Sequence, residues 1–454
     1  MKFRFVTLLC LVLSVLFTAC SGGAVGEPSV GGGGKGDVNV RLAAPTYPQM
    51  HPQPDDEVMF EDWDKYEQDQ AAWYEDYAKQ RDYRDEINQE AYRAFLQATV
   101  QEYLCSAGEE NVVYSPANIY MALAMLAETT DNESRAQILN LLGMQDIGQL
   151  RTQATAMWNA NYCDDGVVSS ILANSVWLRD GTSYHEEVLN RLAQTYYASG
   201  FSGVMGSEEY NQLLRDWIDE QTGGLLKEQS RNLEMSADTV LALASTIYFK
   251  SGWTDKFSEN MTEQDIFHAP DGDITVDFMH SIEGRYYWGE HYGAVRRGMA
   301  NGCAMWLILP DDDSSVAEVL ADSEMLQMVS GNDWENSKSL DVYLSVPKFD
   351  VNAELDLIEG LQNLGVTDVF DPGRSDFTPL TDEPNLAVSE ATHAARVKID
   401  EEGCEAAAYT VLMVTEAAMV EPAEQIDLIL DRPFIFAITG ISGQVLFVGT
   451  VCQP

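Results

Sequence analysis

The chain lacks the side-chain constellations that enzymes use. Its six histidines (51, 185, 268, 280, 291 and 393) form no HExxH repeat. Its seven cysteines (10, 20, 105, 163, 303, 404 and 452) include no CxxC pair and no Cys/His group with zinc spacing. No GxSxG turn is present to raise a serine nucleophile. Acidic residues number 73 against 27 basic ones, so carboxylates are everywhere and no pair stands out as acid and base. The formal charge of −46 weighs against nucleic acid and anionic membrane surfaces as partners. Neither a metal, a cofactor nor a catalytic activity is expected.

One segment carries a different kind of chemistry. The strand-like run Val397-Lys398-Ile399 leads through Asp400, Glu401 and Glu402 to Gly403. A long stretch to Pro433 follows with no core-building pattern, and loops of that length in compact domains are usually functional. Strand side chains alternate between faces. Every second residue from Cys404 gives Cys404, Ala406, Ala408, Thr410, Leu412 and Val414, all small or apolar. The intervening set, Glu405, Ala407, Tyr409, Val411, Met413 and Thr415, contains the charge and the bulky ring. The segment therefore has the alternation of a strand with one buried and one exposed face.

The elements that must hold this segment begin after an export signal. Lys2 and Arg4 precede an apolar run, Val6 to Phe17, too short to span a membrane. Phe17-Thr18-Ala19-Cys20 resembles a bacterial lipobox, with cleavage before Cys20 and acylation of its thiol; the alternative is an ordinary signal peptide cut near Ala19. Residues 1–19 are thus a signal peptide and 20–55 a Gly/Pro-rich, lipidated tether. Residues 56–85 form an acidic, Tyr/Trp-rich extension, either a helix lying on the main domain or a solvated segment. The main domain runs from 86 to 454. Ile87, Tyr92, Phe95, Leu96, Val100 and Leu104 recur at helical spacing. Ser115-Pro116 opens a second helix with a cap and a first-turn proline. Strands are expected at Ile171–Trp177, Val240–Phe249, Ala304–Leu309, Val342–Val346, Leu386–Ser389, Pro433–Ile438 and Val445–Val451. Helices and strands mix without a βα rhythm, so the fold class is α+β with a large mixed sheet.

Over residues 86–454 the chain resembles the serpins. The residues that carry this are Asn111 to Pro116, Leu172-Ala173-Asn174, Trp217 with Thr222, and Ile247-Tyr248-Phe249-Lys250-Ser251-Gly252-Trp253. Val346-Pro347-Lys348-Phe349, Leu364-Gly365-Val366 with Phe370, Asp376 and Phe377, Pro433-Phe434, Leu446 to Gly449 and Pro454 complete it in order. Departures are Asn118, Arg215 and Ser245, and Cys404 in place of the usual Thr or Ser of the hinge.

The resemblance implies a serpin fold, with additional sheets, about nine helices and an exposed reactive loop at about 401–428. It implies an inhibitor that acts as a suicide substrate, forming a covalent complex with a target serine protease. Glu401, Gly403, Cys404, Ala406, Ala407 and Ala408 would form the hinge. Counting sixteen residues on from Glu401 places the reactive bond at Ala417–Ala418, with Glu416 and Met419 as alternatives, bait for elastase-like enzymes. Ser115, Asn174 and His393 would control opening of the sheet, with Asn174 as a partner for His393; Lys348, paired with Glu401, and Trp253 would brace its top. The expected protein is an exported bacterial monomer, either a cell-envelope lipoprotein or extracellular, touching membrane only through Cys20. A non-inhibitory binding module and a cysteine protease inhibitor using the same trap are the alternatives.

Overall fold

The computed structural model describes residues 40–43, 45–54, 56–105, 108–331, 334–404 and 424–454. The hydrophobic strands form two sheets. The central sheet contains β1 (Val40–Ala43), β3 (Cys163–Asp164), β4 (Val168–Arg179), β5 (Ala198–Gly203), β6 (Leu241–Gly252), β12 (Phe349–Asp356), β13 (Thr392–Ile399) and β14 (Gly403–Cys404). Its order is β1-β5-β4-β6-β14-β13-β12, with β3 paired to β4. The second sheet contains β2 (Val112–Tyr114), β7 (Glu263–Ala269), β8 (Gly272–Trp288), β9 (Tyr292–Gly298), β10 (Ala304–Pro310), β11 (Ser337–Pro347), β15 (Gln425–Ile429), β16 (Phe434–Thr439) and β17 (Val445–Val451). β10, β16 and β17 are largely apolar and buried on both faces, as strands in the middle of a covered sheet must be.

Twelve α-helices lie among the described residues. They are α1 (Asp56–Glu61), α2 (Trp63–Glu86), α3 (Gln89–Tyr103), α4 (Pro116–Thr129), α5 (Asn132–Leu141) and α6 (Ile147–Asn161), then α7 (Glu186–Thr195), α8 (Glu208–Gln221), α9 (Lys227–Ser230), α10 (Val316–Ala321), α11 (Ser323–Ser330) and α12 (Ile358–Asn363). The excess over nine comes from α1 and α2 and from very short helices such as α9, whose four residues leave no periodic trace. α4 is apolar all round and almost wholly buried, the signature of a helix inside a domain. Ser115 caps it, its Oγ accepting the Asn118 amide at 3.2 Å.

Three boundaries differ from the sequence reading. Leu386–Ser389 is not a strand: Asn385 turns the chain at φ +59°, and the Val388 amide donates to Val369 O in a loop rather than to a ladder. Residues 40–54 are not all tether. β1 pairs with β5, and the Tyr47 ring packs 5.3 Å from Trp158. The segment 401–428 is too long for a free loop, because Gln425–Ile429 is β15, hydrogen-bonded in parallel to β11. The acidic extension is helical and docked. Trp73 Nε1 and Tyr77 OH donate to the buried carboxylate of Asp165 at 3.0 and 3.1 Å.

Candidate functional site

The hairpin between β13 and β14 is built by its own residues. Asp400 Oδ1 accepts the amides of Glu402 at 2.9 Å and Gly403 at 3.3 Å, closing the turn. Cys404 then lies opposite Ile399 on β13 and Ser251 on β6. Gly403 is required here by space. A Cβ on it would meet Ser251 O at 2.4 Å and Gly252 Cα at 2.7 Å.

The hairpin is fixed from outside by a ledge of aromatic residues. Trp253 Nε1 donates to Asp400 O at 2.8 Å, the Trp253 amide to Glu402 O at 3.0 Å, and the Phe257 amide to Glu401 O at 3.1 Å. The Glu401 carboxylate receives Lys348 Nζ at 2.6 Å and Thr262 Oγ1 at 2.7 Å. Burial alone would raise its pKa. The hydrogen bonds from Lys348 and Thr262 prevail and hold it below the usual carboxylate range. Lys256 pairs with Glu402 beside it.

Below this hairpin the described residues leave a strand position between β6 and β13 unfilled. β14 is two residues long, and among the described residues no other strand pairs with both β6 and β13. Leu241 to Ser245 lie in the middle of the sheet yet are only half-buried. A cavity of about 270 Å³ opens beside them, lined also by Thr392, His393 and Ala394 of β13 and by Asn118, Ile119 and Leu123 of α4. The Oγ of Ser245 and the Oγ1 of Thr246 on its lining are buried without a hydrogen-bond partner among the described residues. Buried polar atoms left without a partner carry a cost.

At the lower end, Ser115 joins the helix to the sheet. Its amide donates to His393 Nε2 at 3.0 Å. The imidazole must be neutral to accept, and burial does hold its pKa down at about 4. Asn174 is not bonded to His393. Its Nδ2 donates to Tyr196 O at 2.7 Å, because the ladder of β4 turns it toward β5 and the Tyr196 carbonyl just before it.

The sequence reading placed Glu401, Gly403 and Cys404 in the hinge and Lys348, paired with Glu401, and Trp253 at the top of the sheet; in the structure Lys348 meets Glu401 and Trp253 holds the carbonyls of the same hairpin. Ser115 and His393 also meet. Cys20, Ala406, Ala407, Ala408, Glu416, Ala417, Ala418 and Met419 lie outside the described residues. Thr262, Arg297 and Glu128 were not foreseen. Buried Glu128 accepts two bonds from Arg151, at 2.6 and 2.9 Å, and one from Tyr196 OH at 3.1 Å, and so anchors the residue that holds Asn174. Its only signal is an acid at the end of an apolar helix.

Among the described residues, the two-residue β14 stands beside a strand position left unfilled between β6 and β13, and a long segment of alternating character follows it in the sequence. The family profile described as Serpin (serine protease inhibitor) matches residues 90–454. The chain belongs to the serpin family. It is 29% identical over 378 residues to plasminogen activator inhibitor 1 of Bos taurus, covering 78% of this chain and 89% of that protein. It is 27% identical over 362 residues to Serpin-ZX of Arabidopsis thaliana, covering 76% and 92%. Among solved structures, the thermophilic serpin Tengpin in its native state superposes with a TM-score of 0.71 at 27% identity, covering 81% of this chain and 95% of that one.

Proposed function

We propose that this serpin is an extracytoplasmic inhibitor of an elastase-like serine protease, held at the cell envelope through Cys20. The protease attacks the Ala417–Ala418 bond and forms an acyl-enzyme with the loop. The freed segment after Cys404 then fills the strand position between β6 and β13, carrying the bound protease with it. The observation that carries this reading is β14, the first two residues of that strand, already paired on both sides.

Extending the β14 register tests the reading residue by residue. Ala406 would fall between Phe249 and Val397, Ala408 between Ile247 and Ala395, and all four neighbours are buried. Thr410 would fall between Ser245 and His393, beside the orphan Ser245 hydroxyl. On the other face, Glu405 would fall between Lys250 and Lys398, a carboxylate between two cations. Ala407 would face Tyr248 and Arg396, where Gly223 and Leu225 already crowd the sheet. It is therefore not a freely solvated position.

The test is incubation with a panel of elastase-, chymotrypsin-, trypsin- and papain-like proteases, followed by denaturing gels. A covalent complex with the elastase-like enzyme, and a shift toward the trypsin-like enzyme in Ala417→Arg, support the proposal. Clean cleavage with every protease left active overturns it.

A further inference from the structure

β9 carries two adjacent arginines. Neighbours on a strand face opposite sides, so one must point inward. Arg296 is exposed and Arg297 is 3% exposed. A guanidinium in that position has to be paired to be tolerated. Arg297 Nη1 donates to Ser281 Oγ at 2.9 Å and to the Glu283 carboxylate, and Nη2 donates to the Asp255 carbonyl. Its planar face lies 3.7 Å from the centroid of the Phe257 ring and 5.2 Å from that of Trp253. These two rings meet edge to face at 5.7 Å.

The pairing is incomplete, since Nε is buried without a partner among the described residues. An apolar side chain would fill the same volume without desolvating two charges, so stability alone is a poor reason for a buried arginine here. Its neighbours supply a better one. Trp253 and Phe257 are the residues whose N–H groups hold three consecutive carbonyls, those of Asp400, Glu401 and Glu402. Thr254 is fixed by its own amide bond to Gly298 O at 3.0 Å. The second half of the turn, Asp255 to Phe257, is gripped by Arg297.

We propose that Arg297 is a positioning residue for loop insertion, holding the Trp253–Phe257 ledge so that the hairpin at 400–402 stays a fixed pivot. The proposal rests on the insertion reading above. Strand addition proceeds from the Gly403–Cys404 pair outward, each new pair registering on the previous one. A pivot that swings makes the first pair form less often and slows the whole insertion. Attack on the loop, which happens far along the chain at 417–418, is unaffected. A loosened pivot thus shifts the outcome from trapped protease toward hydrolysed acyl-enzyme.

Two variants separate positioning from folding. Arg297→Lys keeps a charge toward Glu283 but loses the flat stack on Phe257 and the fork that reaches Asp255 O. Arg297→Met combined with Glu283→Gln removes both charges, leaving no stranded carboxylate. Each is incubated with the elastase-like protease; cleavage rate, molecules of inhibitor consumed per protease silenced, and heat resistance gained on cleavage are measured. We expect loop cleavage at the parent rate, insertion slowed about tenfold from loss of the cation–π contact and its bonds, and inhibitor consumption raised severalfold. The double variant should keep the parent's melting temperature within a few degrees while showing the raised consumption. Parent-like consumption in the double variant overturns this inference alone. A parent that silences no protease and gains no heat resistance on cleavage overturns the insertion reading, and this inference with it.

Discussion

The amide of Ser115 donates to Nε2 of His393 at 3.0 Å, joining the N-terminus of α4 to β13 of the central sheet. Both residues are buried, and the bond exists only while the imidazole is neutral. Protonation would put N–H against N–H and place an unpaired charge in the core.

This makes the sheet sensitive to acid in a defined window. Burial lowers the folded pKa of His393 to about 4, against about 6.5 for an unfolded histidine. Between those values the unfolded chain binds the proton and the native one does not. Stability therefore falls as pH falls from about 6.5 to about 4, with a slope of about 1.4 kcal/mol per pH unit from this group. His393→Gln keeps an acceptor for Ser115 and cannot titrate. Urea midpoints measured across this range should show the variant's pH slope smaller by close to one proton. Equal slopes would show that His393 is not the responsible group.

The pair Lys348–Glu401 acts at the other end of the sheet, in the same direction and at lower pH. Its folded carboxyl pKa is depressed. The stabilisation is present above the unfolded value of about 4.3 and is lost as pH falls through the folded one. Glu401→Gln retains a partner for Thr262 but leaves Lys348 unpaired, at a cost of about 1–2 kcal/mol because that lysine keeps partial access to water. We expect the variant to melt about 1–2 °C lower than the parent at neutral pH, and the two curves to converge in acid. Melting curves that coincide at neutral pH would remove this pair from the hinge.

Much of this region was legible in the sequence because its residues are constrained by shape. Gly403 has no room for a side chain and Ser115 must cap α4. Each leaves a mark at a fixed spacing. The mixed α+β architecture was legible for the same reason, since the apolar strands Ala304–Pro310 and Val445–Val451 have no polar alternative. What was not legible depends on partners far apart in the chain. Arg297 meets Phe257 and Glu283, and Glu128 meets Arg151 and Tyr196, at separations no local pattern encodes. The strand expected at Leu386–Ser389 was misread because an apolar run looks the same whether it packs as a strand or as a loop.

The acidic extension is a part of the domain and its loss should be felt. Asp165 is 2% exposed with no cation in hydrogen-bonding contact among the described residues. Its carboxylate is satisfied by five donors: Trp73, Tyr77, Asn301 and the amides of Val167 and Val168. Two of these, with the Tyr47 ring that covers Trp158, come from residues 40–86. Deleting 40–86 strips both donors and bares the stacked rings of Trp158 and Tyr197, whose centroids lie 3.7 Å apart. A melting temperature lower by several degrees and new binding of a hydrophobic dye are expected. An unchanged melting curve would mean that the extension contributes nothing to the fold.

The filling of the central sheet is read most directly by backbone hydrogen exchange before and after a single cut in 405–423. In the uncut protein the facing edges of Leu241–Lys250 and Thr392–Lys398 lack a strand between them among the described residues. After cleavage by an elastase-like protease, exchange along both edges should slow at least tenfold, as it does where a ladder closes. Ala406→Arg, which would force a charge between Phe249 and Val397, should be cut equally fast and show no such slowing. Unchanged exchange along both edges of the cleaved parent would contradict insertion outright.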